Sequence, residues 1–372
     1  MSRPRSRSLG AALVLAFAST LVPALAGAAS MKVMSFNIRY DGGGFSSLTD
    51  PTGWLYTCGP RRDRVVNTIL DGAPDIVGVQ EALYNQVLDI QAKLPGYAFY
   101  GVGRNDGNTL GEFSGLWYRS DRFTRFDQGT FWLSDTPDVP GTVFPCSGSI
   151  RIASWMKVHD SVSGADYFVL DTHWDNSCQD SREKSAVLVR QKIKDLSGGL
   201  PVIALGDLNT GESSLAVSTL RGVGDPTGFQ LADTYREVFP VASPDEATFH
   251  GWDGGVAGSR IDFLLHTADF TPTAAAIVHT GFTCGYPSDH FPVTATFTTP
   301  GTPSAAAEHA SASAAPAPAL VDPCIPNCTG CGANVAPASR SAASPWGWLA
   351  ATGAFAAVLG ARVRSARRRL VP

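Results

Sequence analysis

The sequence lacks the short motifs that mark several common hydrolase classes. It contains no G-x-x-x-x-G-K-S/T segment, which excludes the P-loop nucleotide hydrolases, and no G-x-S-x-G segment, which excludes the serine turn of the α/β-hydrolases. No group of Cys and His residues has the spacing of a zinc site. Any catalysis by this chain must therefore use another set of polar residues.

The central part of the chain also has little positive charge. Residues 31–300 carry 20 Lys and Arg against 31 Asp and Glu, a net charge of −11, whereas the whole 372-residue chain has a net charge of −4. Proteins that bind long nucleic acids by neutralising phosphates normally present a basic surface. The charge of this region therefore disfavours nucleic acid as its partner.

The amino-terminal end has the pattern of a secretory signal peptide. Three arginines precede an apolar run over residues 9–22, and small residues follow over 24–28. A membrane anchor is the alternative, but the run is shorter than the roughly 20 residues that a bilayer crossing needs. We therefore predict a cleaved signal peptide over residues 1–28 and an exported protein.

The carboxyl-terminal end divides into two segments. Residues 301–343 are rich in Ala, Pro and Ser and contain three Cys, which predicts an extended linker. Residues 344–372 combine an apolar run with an Arg cluster, which predicts a transmembrane segment with its positive charges inside. Together these features resemble the tripartite C-terminal sorting signals of some Gram-negative bacteria, with a plain tail anchor as the alternative. Both imply anchoring at the cell surface, with secretion if the tail is removed.

Four cysteines in the central region are expected to form two disulfides in an exported protein. A hairpin predicted around residue 162 places Cys146 opposite Cys178, because both lie the same distance from its centre. We therefore favour Cys146–Cys178, which leaves Cys58–Cys284 as the remaining pair. Free thiols are the alternative.

The central region alternates short apolar runs with helical patterns. Runs with strand character occur at residues 32–36, 76–79, 202–205, 261–265 and 293–297. Helical spacing is present at 62–70 and 182–196. Strands with helices between them predict an α/β domain over residues 31–300, with two packed mixed β-sheets flanked by helices.

Polar residues suited to hydrolytic chemistry stand at the ends of these strands. They are Asn37, Glu81, His173, Asp207, Asn209, Asp262, Asp289 and His290. Each alone has an ordinary explanation as a turn former, a cap or a satisfied core histidine. Charged groups are rarely buried unless they are paired or bind metal, and strand ends are where open α/β sheets bind ligands. The whole set therefore predicts an active site.

Phosphoester hydrolysis with a hard divalent cation suits these residue types. Mg²⁺ prefers oxygen ligands, so Glu81, with Asn37 and Asp289 beside it, is the predicted site for Mg²⁺ or Mn²⁺. Asp207 is predicted to accept a proton from water, and Asn209 to orient the water or the phosphate.

Two histidines complete this prediction. His173 and His290 are predicted to donate to the phosphoryl oxygens. Asp262 or Asp289 is predicted to hold an imidazole in the correct tautomer and to stabilise its charged form.

Six segments in this order, "SFNIRYD", "GVQEAL", "DTHWD", "GDLNT", "RIDFLL" and "SDHFPV", resemble the endonuclease/exonuclease/phosphatase superfamily. The resemblance covers about residues 31–298 and implies a four-layer α/β sandwich with Mg²⁺-dependent phosphoester cleavage. It implies metal-site roles for Asn37 and Glu81, and a water-positioning role for Asp207 with Asn209. It leaves open which residue is the general base.

The segments "GEFSGLWYR" and "TFHGW" resemble a secreted bacterial branch of that superfamily. This finer resemblance implies that Arg39, Glu112, Tyr118 and His250 face the substrate, although a surface ion pair is an equal alternative for Arg39. The chain has Asn176 where this branch has a histidine.

These features predict an exported, monomeric Mg²⁺-dependent phosphodiesterase or phosphatase that acts on a small or lipid-linked phosphate ester. An extracellular endonuclease or exonuclease is the alternative enzyme, in which Mg²⁺ offsets the repulsion of the acidic domain. A non-catalytic surface binding protein is a further alternative. The complete acid–base and metal set favours an enzyme.

Overall fold

The structure is a computed structural model that describes residues 29–42, 46–300 and 324–325. The chain divides into one unit over Met1–Val335 and a second over Ala336–Pro372, and only the first contains described residues. The predicted signal peptide and the apolar carboxyl-terminal segment therefore lie outside the described residues. Within the described part, no helix has the length and apolar character to cross a membrane.

Two mixed sheets of six strands each form the centre of the fold. The first consists of β1 (Ser30–Asn37), β2 (Ile76–Ala82), β3 (Tyr97–Tyr100), β4 (Phe113–Arg119), β11 (Thr271–Ile277) and β12 (Val293–Thr298). The second consists of β5 (Phe123–Trp132), β6 (Ile152–Asp160), β7 (Ala165–His173), β8 (Val202–Asp207), β9 (Ala232–Asp233) and β10 (Asp262–His266). The strand orders are β11-β12-β1-β2-β4-β3 and β5-β6-β7-β8-β10-β9.

Each sheet has one parallel pair near its centre. These pairs are β1 with β2 and β7 with β8, and the other neighbouring strands are antiparallel. Parallel neighbours end at the same edge of a sheet, so residues that follow them in sequence are brought side by side.

The described residues contain six helices. They are α1 (Ser46–Thr49), α2 (Arg61–Gly72), α3 (Tyr84–Lys93), α4 (Gln179–Ser197), α5 (Leu215–Arg221) and α6 (Thr234–Val238). One apolar cluster lies between the sheets and includes Val33, Val169 and Ile203. A second joins α2 and α3 to the first sheet, and a third joins α4 and α5 to the second sheet. The predicted four-layer α/β sandwich is confirmed.

The cysteines confirm one predicted disulfide and correct the other. Cys146 and Cys178 are bonded, with their Cα atoms 6.0 Å apart. Cys284 is bonded to Cys324 instead of to Cys58, and Cys58 is itself disulfide-bonded. The predicted Cys58–Cys284 pair is wrong because Cys324, a cysteine of the predicted linker outside residues 31–300, packs against that domain and bonds to Cys284.

Candidate active site

Three strands of the second sheet place their last or first polar side chains next to one another. His173 at the end of β7 is in parallel register with Asp207 at the end of β8. Asp262 at the start of β10 is the antiparallel partner of the same Asp207. All three residues are at most 4% exposed. Strand pairing therefore fixes three predicted catalytic residues in one row.

Gly206 allows β7 and β8 to approach closely just before this row. Its φ is +145°, and a Cβ atom there would lie 1.9 Å from the backbone oxygen of Thr172. Any side chain would push the strands apart. The glycine before Asp207 is thus needed for the register that sets His173 beside that carboxyl group.

Three of the predicted site residues have left-handed backbone conformations that L-residues seldom adopt. They are Arg39 (φ 55°), Glu81 (φ 63°) and Asn209 (φ 50°). Glu81 also lies where the register of β2 against β4 shifts, and such a bulge redirects a side chain out of the sheet. Backbone strain of this kind costs about 1–3 kcal/mol per residue and concentrates at functional sites.

Asp207, Asp262 and His290 form a buried charge-coupled group. Nδ1 of His290 lies 2.9 Å from Oδ2 of Asp262, and its Nε2 lies 3.8 Å from Oδ2 of Asp207. Burial opposes the charge on His290, but the carboxylates of Asp262 and Asp207 outweigh it and raise its pKa to about 10. Burial and the charge of Asp262 raise the pKa of Asp207 to about 7. The group therefore holds an imidazolium beside a carboxyl group that titrates near neutrality.

His173 lies on the other side of Asp207 in a different charge state. Burial and the neighbouring Arg151 hold the pKa of His173 well below its usual value, so the ring is neutral. Nη1 of Arg151 is 2.8 Å from Nδ1, and Oδ2 of Asp207 is 3.4 Å from Nε2. Nη1 also lies 3.0 Å from Nε2, and the neutral ring offers this donor its one acceptor nitrogen. The amide nitrogen of Asn209 also lies 3.0 Å from Nε2. We refer to His173, Asp207, Asn209, Asp262 and His290 as the acid–base group.

Residues from the first sheet form a second cluster. The Asn37 amide nitrogen donates to Glu81 Oε1 at 3.1 Å, and the guanidinium of Arg39 lies 3.4 Å from Glu81 Oε2 and 3.6 Å from Asp289 Oδ2. Burial raises the pKa of Asp289. We refer to Asn37, Arg39, Glu81 and Asp289 as the metal group.

A divalent cation fits the metal group better than it fits the acid–base group. In the first, two carboxylates converge on one guanidinium beside an amide oxygen, and an all-oxygen donor set is what Mg²⁺ and Mn²⁺ prefer. Atoms of Asp207, Asp262 and His290 also lie within 4.8 Å of one another. There, however, one of the three donors is an imidazole nitrogen, and a histidine that is hydrogen-bonded to Asp262 must lose its proton to bind metal.

The predictions for the substrate-facing residues have different outcomes. Glu112 is close to the site, but both its oxygens accept from Arg104 at 2.7 Å. His250 lies beside the site, where its ring stacks on Phe291 and its backbone N–H donates to the backbone oxygen of Asp289. Burial lowers the pKa of His250 to about 4.

The placement of Tyr118 in the site is wrong. Tyr118 pairs with Ile76 at the start of β2, whereas Glu81 lies near the end of that strand. Its side chain is buried in the cluster between the sheets. The segment "GEFSGLWYR", on which the prediction depended, continues along β4, and Tyr118 lies far along that strand from the site.

Three arginines near the site were not predicted from the sequence. Arg61 is 1% exposed and donates to the backbone oxygens of Ile38, Arg39 and Pro287, so it joins the loop after β1 to the segment before Asp289. Arg104 and Arg151 lie on the other side, near His173. They lie outside the six motif segments, so no signal in the sequence marked them.

Comparison with known proteins supports the same assignment. A family model described as the endonuclease/exonuclease/phosphatase family matches residues 34–290. A family member from Bacteroides vulgatus of known structure is 33% identical, with a TM-score of 0.64 over 72% of this chain and 98% of that one. A mannosyl-6-phosphatase from Bacteroides thetaiotaomicron is 30% identical, with a TM-score of 0.64 over 72% of this chain and 99% of that one.

A viral protein is a more distant relative. An uncharacterized protein of Acanthamoeba polyphaga mimivirus is 24% identical over 301 residues, which is 68% of this chain and 40% of the viral protein. The chain thus spans less than half the length of that relative.

Proposed function

The chain belongs to the endonuclease/exonuclease/phosphatase family of metal-dependent phosphoester hydrolases, and from that premise we propose that it is an exported hydrolase of a small phosphate ester. Its proposed cofactor is Mg²⁺ or Mn²⁺, held by Glu81, Asp289 and Asn37. The proposed reaction takes place between the metal group and the acid–base group.

One hydrogen-bonded residue carries this proposal. The Asn37 amide nitrogen donates to Asp207 Oδ2 at 3.0 Å as well as to Glu81. It therefore joins a residue of each group, and it links the end of β1 in the first sheet to the end of β8 in the second. Two groups that are joined through the Asn37 amide are suited to act on the same phosphorus atom.

The acid–base group supplies the proton transfers in this proposal. Asp207, whose pKa is raised to about 7, is suited to accept a proton from the attacking water near neutral pH. The backbone N–H of Asn209 donates to Asp207 Oδ1 at 2.9 Å, which closes a turn. This turn orients the Asn209 amide beside the same water position.

The two histidines are assigned different tasks. His290 is charged and is held by Asp262, so it stabilises negative charge that develops on a phosphoryl oxygen. His173 is neutral, and its Nε2 faces Asp207 and Asn209 at the reaction centre. When bound, the divalent cation supplies further charge stabilisation as a Lewis acid.

The charge of the domain and one relative support a small substrate. The net charge of −11 over residues 31–300 disfavours long polynucleotides, which argues against the alternative of an extracellular nuclease. The similarity to a mannosyl-6-phosphatase supports a sugar phosphate over a lipid-linked ester. The complete catalytic set argues against a non-catalytic binding protein.

The disulfides support the proposed export. Cys146–Cys178 and Cys284–Cys324 are bonds that form and persist in oxidising compartments. The proposed signal peptide at residues 1–28 and the proposed surface anchor at residues 344–372 agree with that location.

A substrate panel with and without EDTA tests the proposed function. We expect hydrolysis of sugar phosphates or p-nitrophenyl phosphates that is lost in EDTA and restored by Mg²⁺, with little nicking of plasmid DNA. Hydrolysis that persists in EDTA would remove the metal from the mechanism. Plasmid nicking as the dominant activity would favour the nuclease, and a lack of hydrolysis of every ester would favour the binding protein.

A further inference from the structure

Two of the arginines around the active site share a single acidic partner. Arg104 and Arg151 form ion pairs with Glu112, and among the described residues no other carboxylate pairs with either of them. We refer to these three residues as the basic group. It has two positive charges and one negative charge, in a domain whose overall charge is strongly negative.

Glu112 serves the two arginines unequally. Nη1 and Nη2 of Arg104 each lie 2.7 Å from one of its oxygens, whereas Nη1 of Arg151 lies 3.9 Å away. The side chain of Arg151 is 7% exposed, and its buried Nε has no hydrogen-bond partner in the described part of the chain. A buried guanidinium without a close counter-ion is energetically costly, so this position is complementary to an added anion.

The unmatched charge lies next to the proposed reaction centre. Nη1 of Arg151 contacts His173, whose Nε2 is 3.4 Å from Asp207 Oδ2 and 3.0 Å from the Asn209 amide. Nη2 lies 3.5 Å from the side-chain oxygen of Asn176, a neutral group that leaves the charge uncompensated. Arg151 is therefore one side chain away from the residues that position water.

We propose that Arg151, supported by Arg104, binds the terminal oxygens of a phosphate monoester and thereby selects monoesters over diesters. The inference rests on the proposed function and specifies its substrate class. A phosphate monoester carries a charge of about −1.5 to −2 at neutral pH, whereas a diester carries a single negative charge. The second charge supplies the counter-ion that Glu112 does not provide, and guanidinium groups bind phosphate oxygens in a matching fork.

Glu112 competes with the substrate for these arginines. Burial raises the pKa of Glu112, and Arg104 and Arg151 oppose that shift, so the carboxylate is held against its desolvation by the same two cations. Removal of its charge leaves both arginines available to an anion.

The test compares two esters and the free product in three proteins. We would measure kcat/KM with Mg²⁺ for p-nitrophenyl phosphate and bis-p-nitrophenyl phosphate, and Kd for inorganic phosphate by calorimetry, in wild type, Arg151→Gln and Glu112→Gln. Loss of a charge-assisted hydrogen bond costs about tenfold or more, so Arg151→Gln should lose about tenfold more on the monoester than on the diester and bind phosphate about tenfold more weakly. Glu112→Gln should bind phosphate more tightly.

Controls separate this inference from its premise and from unfolding. Arg119→Gln removes an exposed arginine at the far end of β4 and should leave the ester ratio unchanged. If circular dichroism shows that Arg151→Gln is unfolded, Arg104→Gln replaces it in the same comparison with the same expected direction. Wild-type protein that hydrolyses neither ester would contradict the proposed function itself.

Two results would overturn the inference while leaving the hydrolase intact. One is an equal loss on both esters with unchanged phosphate affinity in the arginine variant, which would make Arg151 a positioning residue for His173. The other is phosphate binding in Glu112→Gln that is unchanged or weaker than in wild type.

Discussion

The two sheets contribute to the site in different ways. The second sheet supplies His173, Asp207 and Asp262 from paired positions of three neighbouring strands. The first sheet supplies Asn37 from the end of β1 and Glu81 from an irregular position in β2 with a positive φ. Three members of the acid–base group are thus held by regular strand pairing, whereas the metal group is held by backbone distortion and loops.

This difference assigns different sensitivities to the two halves. Strand pairing fixes proton-transfer geometry, which tolerates little displacement. A metal site can adapt its ligands, and its orientation here depends on buried supports such as Arg61 and on the two carboxylates that face Arg39. A substitution can therefore abolish the function of one group while the function of the other group remains measurable.

Asp207→Asn should have the largest effect on turnover. Removal of the water-activating carboxylate should lower kcat by about 10³-fold, within the range for general acid–base groups. Burial and Asp262 raise the pKa of Asp207 to about 7, so folding disfavours its charged form. The unfolding free energy of the wild type therefore falls as pH rises from the unfolded pKa of this group toward 7. The variant should therefore melt at or above the wild-type Tm at pH 7, with the gain absent near pH 4. Near wild-type turnover would show that Asp207 is not the base.

Glu81→Gln should have the next largest effect, through the metal group. We expect kcat/KM to fall about 100-fold at low Mg²⁺, with partial recovery at high Mg²⁺, because one charged ligand is lost. Glu246→Gln is the matched control, since that carboxylate is also poorly exposed and pairs with Arg236 outside the site. An unchanged Mg²⁺ requirement in Glu81→Gln would place the metal elsewhere.

Much of this arrangement was predictable because it depends on local sequence. Apolar runs that end in Asn, Asp or His predicted β1, β7 and β8, and the two arms of the β6–β7 hairpin predicted the Cys146–Cys178 bond. Hydrophobic period and strand termini are properties of neighbouring residues, so one sequence contains them.

Other parts depend on contacts between distant residues. β11 contains Pro272 and three alanines and is largely exposed, so hydrogen bonds to β12 and not its own pattern make it a strand. Arg104 and Arg151 meet at Glu112 only after folding, and Cys324 finds Cys284 across 40 residues. Tyr118 shows the converse error. A motif can begin near the site while the strand that continues it leads its later residues away from the site.

Gly206→Ala should have a smaller effect on turnover and a clear effect on stability. The added Cβ would meet the Thr172 backbone at 1.9 Å, so β7 and β8 should separate at the acid–base group. We expect a loss of about 1–3 kcal/mol in unfolding free energy and roughly tenfold in kcat. Gly198→Ala is the matched control, because Gly198 also has a positive φ (65°) but no atom within 4 Å of its added Cβ. Equal effects of both changes would assign the loss to backbone strain alone.

Replacement of both Cys146 and Cys178 by Ser should have the smallest effect on turnover. The bond closes a 32-residue separation, so its loss should lower the unfolding free energy by about 2–4 kcal/mol in denaturant titrations. Turnover at 25 °C should stay within about twofold, because strand pairing and not the disulfide holds His173, Asp207 and Asp262. A large loss of turnover in a still-folded variant would show that the loop carrying Arg151 depends on this bond.

Calorimetric titration of Mg²⁺ into wild type, Glu81→Gln and Asp207→Asn tests the division between the two halves most directly. The account predicts that Glu81→Gln loses or greatly weakens Mg²⁺ binding, while Asp207→Asn binds Mg²⁺ as wild type does even though it no longer turns over substrate. Loss of Mg²⁺ binding in Asp207→Asn with binding retained in Glu81→Gln would contradict the account and place the metal at Asp207, Asp262 and His290.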